Sequence, residues 1–347
     1  MRLRIPSAVV VCTGLIFAAL APSAGATLVY ATGGGPVQPP KLPAPEYVWS
    51  ARNDGSSPQR LAPGSSPSVS PDGKLVAYNS FYAGSSHLAI IPSAGGTAHV
   101  LIAAHWQDQF TLAWSPDSKS IVAVLGTELG PKRLVRIDVQ TGATLATLAR
   151  GQDFFGAQFS PDGTRLLYTR AASTQASTDL FVATLATGRI RQLTFDHRSS
   201  AAVWGRGWIA FARSRPARSL EEAPKQDVYL MRPDGSGLRR LTHTHPAQLL
   251  SGPVPFAWSS DGGRLLAEFE GQDTSYAETV NPVSGKVRRV GSAAQGYVGW
   301  GLSRNGRSIL ATTGGPEQFE SNVVSIPYGG GRARVLVGHA HNPDWNA

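Results

Sequence analysis

Apolar residues along this chain come in short bursts rather than long stripes. Runs such as Val76-Ala77-Tyr78, Leu166-Leu167-Tyr168 and Ile209-Ala210-Phe211 are bounded by Gly, Pro, Asp or Ser. No stretch sustains the 3.6-residue period of an amphipathic helix. The pattern predicts many short strands joined by tight turns.

The bursts recur at a fixed spacing. Ser70-Pro71-Asp72-Gly73 returns as Ser115-Pro116-Asp117-Ser118 and Ser160-Pro161-Asp162-Gly163, and more loosely as Ser259-Ser260-Asp261-Gly262 and Ser303-Arg304-Asn305-Gly306. The residue ahead of each turn is large and apolar: Val69, Trp114, Phe159, Trp258, Leu302. Trp204 falls in phase although its turn has become Gly205-Arg206-Gly207, and Trp345 closes the series. Successive gaps are 45, 45, 45, 54, 44 and 43 residues, the length of a four-stranded propeller blade.

Each unit reads as four strands. The first ends on the large residue, and Pro-Asp-Gly then makes the turn: Pro presets φ, Asp bonds the backbone ahead and Gly accepts positive φ. Second and third strands follow, then a Gly-bearing turn and a fourth strand such as Gln192-Leu193-Thr194 or Arg240-Leu241-Thr242. Six units are complete between about residues 66 and 337. Three strands remain near the start (Leu28-Val29-Tyr30, Tyr47-Val48-Trp49, Gln59-Arg60-Leu61) and one at the end (Pro343-Asp344-Trp345). The expectation is an all-β protein, a single β-propeller over residues 27–347 with seven four-stranded blades, the closing blade shared between N- and C-termini. The alternative is six blades with the N-terminal strands packed outside.

These units resemble the TolB-like, WD-like propeller repeats of bacterial envelope proteins. The likeness is carried by Ala113-Trp114-Ser115-Pro116-Asp117, Phe159-Ser160-Pro161-Asp162-Gly163, Met231-Arg232-Pro233-Asp234-Gly235 and Arg240-Leu241-Thr242. It implies the propeller fold and an envelope setting. The sequence departs from the TolB pattern in leaving no room for a separate N-terminal α/β domain and in carrying one more blade. Propellers of this kind host scaffolds, lyases and peptidase accessory domains, so the resemblance names no single activity.

The first residues read as an address. Arg2 and Arg4 precede an apolar run from Ala8 to Leu20, and Ala24-Gly25-Ala26 offers small residues for cleavage. A signal peptide over residues 1–26 is expected, with an uncleaved anchor as the rival reading. The expected location is exported and bacterial: periplasmic, cell-envelope or extracellular. The one cysteine, Cys12, lies before the cut, so the mature chain would carry no disulfide.

Charge changes the picture little. Without Arg2 and Arg4 the chain holds 30 basic and 23 acidic residues, a net +7. Many of the cations, among them Arg60, Arg191, Arg239, Arg288 and Arg334, fall on expected fourth strands at the blade edges, where charge deters edge-to-edge pairing. No nucleic-acid motif is present, and export argues against that partner.

Candidate chemistry gathers on one face. Connections after second and fourth strands are the longer ones, and topology sends all of them to the same rim. Six of the eight histidines fall there: His105, His197, His243, His245, His339 and His341. The pairs His243/His245 and His339/His341 are weak candidates for metal ligands, since imidazoles two apart on extended chain point the same way. The competing reading is that His after Leu-Thr caps loop backbone. Trp106, Phe110, Phe154, Phe155, Phe195 and Tyr297, with Asp153 beside them, form a candidate platform for a peptide or sugar, or else pack between blades. The connection Arg213–Gln226 is a candidate docking loop. No nucleophile elbow, zinc-protease helix, phosphate loop or dinucleotide fingerprint occurs, so no cofactor is expected. The leading expectation is a non-catalytic, monomeric binding or scaffold protein that docks an envelope protein, peptide or glycan on the long-loop face. The alternatives are a metal-assisted polysaccharide lyase or hydrolase and a sensor domain for a separately encoded partner.

Overall fold

A computed structural model describes residues 27–34, 45–82, 85–103, 112–126, 130–171, 177–216, 224–245, 250–271, 274–292, 296–314 and 321–346. The expected leader, residues 1–26, lies outside them. The chain enters on β1 (Thr27–Thr32), β2 (Tyr47–Arg52) and β3 (Gln59–Pro63). Blade 1 follows with β4 (Ser65–Val69), β5 (Leu75–Tyr82), β6 (Ser85–Pro92) and β7 (His99–Ile102). Blade 2 is β8 (Ala113–Trp114), β9 (Ser120–Leu125), β10 (Lys132–Asp138) and β11 (Thr144–Gly151). Blade 3 is β12 (Phe154–Phe159), β13 (Arg165–Ala171), β14 (Thr178–Thr184) and β15 (Ile190–Gln192). Blade 4 is β16 (Ser199–Trp204), β17 (Ile209–Arg215), β18 (Lys225–Met231) and β19 (Arg239–Arg240). Blade 5 is β20 (Leu250–Trp258), β21 (Leu265–Gly271), β22 (Ser275–Val280) and β23 (Val287–Arg289). Blade 6 is β24 (Tyr297–Leu302), β25 (Ser308–Thr313), β26 (Val323–Pro327) and β27 (Arg334–Val337), and the chain ends on β28 (His341–Trp345).

Seven four-stranded antiparallel sheets result, so the six-blade alternative is excluded. In blade 7 the order is β28-β1-β2-β3, with Leu28 opposite Trp345 and Val29 opposite Asp344. The first and last strands therefore share one sheet. The lock reaches into blade 1 as well: Asp344 Oδ2 accepts from Ser68 Oγ at 3.0 Å and from the Val69 amide at 2.9 Å. The Thr27 amide donates to Asn346 Oδ1 at 2.6 Å.

The core is not one mass but a ring of apolar clusters, each at the wedge between neighbouring blades. Leu134 and Leu148 of blade 2 meet Phe154, Tyr168 and Phe181 of blade 3. Leu28 and Tyr30 of blade 7 meet Leu310 and Val323 of blade 6. This follows from the strand pattern, because a twisted sheet covered on both faces needs apolar side chains on both.

Two of the tryptophans before the turns reach backwards around the ring. Trp114 Nε1 donates to the Ser68 carbonyl at 3.3 Å, and Trp258 Nε1 donates to the Val203 carbonyl at 3.2 Å. The turn at Gly205 departs from the repeat because the Trp258 ring occupies its side-chain space, with a Cβ placed there 2.6 Å from the ring.

The outer strands carry a second link that the sequence reading missed. One residue at the same register position reaches forward to a backbone carbonyl in the next blade's third-to-fourth-strand turn. Gln59 Nε2 donates to the Ala94 carbonyl at 3.0 Å, and His99 Nε2 lies 3.0 Å from the Val139 carbonyl. Arg239 Nη2 donates to the Pro282 carbonyl at 3.0 Å, and Arg334 Nη2 to the Asp54 carbonyl at 3.5 Å. Arg288 spans two carbonyls, Tyr328 and Gly329, each at 2.5 Å. Several of the edge cations thus clasp blade to blade.

Candidate functional site

The two faces of the ring differ in how their polar groups are used. On the tight-turn face each Ser-x-Asp turn satisfies itself. Ser115 Oγ donates to Asp117 Oδ1 at 2.6 Å and accepts from the Ser120 amide at 2.9 Å. Ser160 and Ser259 repeat the arrangement with Asp162 and Asp261. The Ser160 hydroxyl, then the Thr164 amide and hydroxyl, hold Asp162 down to a pKa of about 2. Little donor or acceptor capacity is left over for a ligand on that face.

On the long-loop face two buried carboxylates organise the connections. Asp179, at the start of β14, is 2% exposed. It accepts from Thr194 Oγ1 at 2.9 Å and from the His197 amide at 3.1 Å, and His197 Nδ1 lies 2.6 Å from its Oδ2. Asp227, at the matching place on β18, is fully buried. It accepts from Thr242 Oγ1 and Thr244 Oγ1, both at 3.1 Å, and from Arg240 Nη2 at 2.6 Å. Burying an ion is tolerable only with this many partners. Both carboxylates pin the loop that follows a Leu-Thr pair. The signal was present in the sequence, since each Asp stands 15 residues ahead of its Thr.

The expected site residues divide accordingly. His105, Trp106 and Phe110 lie outside the described residues. Asp153 is engaged, forming an ion pair with Lys132. Phe154 is 4% exposed and packs edge-on to Tyr168 at 5.8 Å; Tyr297 is 7% exposed at the start of β24. These two belong to the wedges between blades, and Phe155 is half-buried on β12. Among the expected rings that are described, Phe195 alone stands out, at 72% exposure.

The histidines are distributed over separate blades. His341 is buried on β28, its Nε2 3.1 Å from the Gly33 carbonyl and 3.7 Å from Glu46 Oε1. His339 and His243 are exposed. His245 Nδ1 lies 2.9 Å from the Thr244 carbonyl. No group of three or more metal-ligating side chains converges among the described residues. The docking loop is shorter than expected: β17 runs on to Arg215 and β18 begins at Lys225. Arg213 pairs with Asp196 at 2.5 Å and Arg215 with Asp227 at 3.3 Å, so both serve the fold, while Arg218, Glu221 and Glu222 lie outside the described residues.

His197 and Phe195 stand together in one connection. Asp179 fixes the imidazole through Nδ1, and the side chain keeps 58% of its exposure, so Nε2 is presented to solvent in one orientation. The backbone supports this with φ of +56° at His197, a left-handed conformation that non-glycine residues adopt at a cost. Phe195 borders a notch of about 400 Å³ shared with Arg191 and Asp234. Chemically this connection offers an exposed apolar ring and an imidazole in a fixed orientation.

Blade 5 holds an electrostatic defect. Burial pushes Glu278 up to a pKa of about 7, against the pull of Arg289, and burial does the same to Glu268. Glu278 Oε2 has no hydrogen-bond partner. A carboxyl raised on folding is favourable while protonated, so its contribution is full below about pH 4.5 and falls as pH rises to about 7. Glu278→Gln should therefore raise stability above pH 7 by on the order of 1–3 kcal/mol and leave it unchanged near pH 4. Paired thermal melts at the two pH values check this; equal gains at both would refute it.

The sequence matches no family model and no curated protein. Solved structures do match in shape. TolB from Acinetobacter baumannii superposes with a TM-score of 0.55 at 17% identity, covering 92% of this chain and 66% of that one. An oligogalacturonate lyase in complex with manganese gives 0.58 at 13% identity, covering 91% and 87%. Acylaminoacyl peptidase from Pyrococcus horikoshii gives 0.66 at 11% identity, covering 90% of this chain and half (50%) of that one. At these identities the likeness is one of fold, and the chain is structurally similar to TolB-like and other β-propellers.

Proposed function

We propose that this is an exported binding protein of the cell envelope, which docks a protein, peptide or glycan on its long-loop face around Phe195 and His197. One observation carries the reading. Phe195 is 72% exposed beside an imidazole held in a fixed orientation, whereas the turns of the opposite face spend their polar groups on themselves. An exposed ring next to oriented polar groups is the composition of a recognition hot spot. The leader-like residues 1–26 and the TolB-like shape support the envelope setting.

A photo-crosslinking side chain at position 195 tests the proposal, with the same group at Lys119 on the tight-turn face as control. Illumination in the native host should give a discrete adduct from position 195 and none from position 119. Adducts of equal yield from both, or metal-dependent cleavage of an envelope polysaccharide by the purified protein, would overturn it.

A further inference from the structure

Every pair of adjacent blades leaves a wedge between one blade's outer strand and the next blade's turn. Two of these wedges open into cavities of very different character. The one between blades 3 and 4 is small, about 400 Å³, and its Arg191 faces Asp234. The one between blades 5 and 6 is about 720 Å³. Among the described residues it is lined by Arg288, Arg289 and Arg332 and by no carboxylate.

The excess charge traces to two local losses relative to the neighbouring repeats. Where blade 4 has Arg232-Pro233-Asp234-Gly235, blade 6 has Pro327-Tyr328-Gly329-Gly330, so the acid of the turn is gone. Arg288 fills the space instead, grips the Tyr328 and Gly329 carbonyls, and lies where a Cβ at Gly330 would stand 3.0 Å from its Nη1. The second loss concerns Arg289. Its counterpart Arg240 is neutralised by Asp227 at 2.6 Å. In blade 5 the position of Asp227 is taken by Tyr276, and Arg289 stacks over that ring at 3.8 Å. Its Nε is buried without a hydrogen-bond partner, and Glu278, directly opposite it across the strand pair, lies outside the cavity lining. Arg332 is exposed at the mouth.

We infer that the wedge between blades 5 and 6 is a binding site for a small polyanion bearing carboxylate or phosphate groups. Guanidinium groups with unused donors are suited to both, since the planar fork matches either set of oxygens. The volume is that of a small-molecule pocket. The site is separate from the docking patch on blade 3, so either can stand without the other.

Calorimetric titration of the purified protein with citrate and with pyrophosphate, at ionic strength held constant with NaCl, tests the inference. One saturable site is expected for at least one probe. Citrate alone would name a carboxylate ligand and pyrophosphate alone a phosphoryl one. Arg332→Glu should weaken the binding at least tenfold, while Lys119→Glu, the same charge change on the tight-turn face, should leave it within twofold; thermal melts confirm that both variants fold. No saturable binding of either probe, or equal losses in the two variants, would sink it.

Discussion

A chain ending at His339, and so lacking β28, should lose its cooperative thermal transition. Removing β28 leaves β1 as a bare inner edge and opens the wedge where Leu28, Val29 and Tyr30 are now at most 2% exposed. Each such side chain contributes about 1.5–3 kcal/mol on full burial, so the three together put up to about 4.5–9 kcal/mol at stake. That is comparable to the whole stability of an ordinary domain. Blade 1 also suffers, because Asp344 no longer accepts from Ser68 and Val69. Circular dichroism on heating should show a broad, early loss of signal, and a synthetic peptide of residues 340–347 added in excess should restore part of the transition. A truncated chain that melts within a few degrees of the full one would show that the ring does not depend on its lock.

Gly285→Ala should cost about 3 kcal/mol or more, and Gly188→Ala about 1 kcal/mol. Both glycines occupy the same left-handed turn position, with φ of +72° and +68°. The conformational cost of a Cβ is therefore shared. The surroundings are not: at Gly188 nothing lies within 4 Å, while at Gly285 the added carbon would sit 1.9 Å from the Leu241 carbonyl oxygen of the preceding blade. Backbone cannot swing aside as a side chain does, so blade 5 would have to move away from blade 4. Urea unfolding midpoints of the two variants measure the difference. Equal shifts would mean that the wedge is soft enough to absorb the extra atom.

Much of the architecture was legible because it is written in repeats. The turn residues fix where each first strand ends, and the unmatched strands at the two ends are complementary in number. What escaped is the set of contacts made to backbone. The forward clasp is made by Gln59, His99, Arg239, Arg288 and Arg334 alike, and any carbonyl can receive it, so neither partner leaves a residue signature. The candidate site was legible only in part. Phe154 and Tyr297 looked like loop residues, yet each is the first residue of an inner strand, and one position decides whether an aromatic faces solvent or a wedge. His197 and Phe195 are legible, and the buried Asp179 that orients the imidazole shows only as a spacing, 15 residues ahead of Thr194 as Asp227 is of Thr242, which says nothing of the imidazole until the sheet is paired.

The forward clasp bears on how such a ring can grow or shrink. A donor that seeks only a main-chain oxygen does not ask which blade comes next, and five blades receive it in the same turn. The Trp link to the preceding inner strand is equally indifferent to its target's side chain. Duplication or loss of one repeat during evolution would thus meet ready-made contacts on both flanks, so that blade number is limited by the angle each wedge can take up rather than by matched pairs of residues.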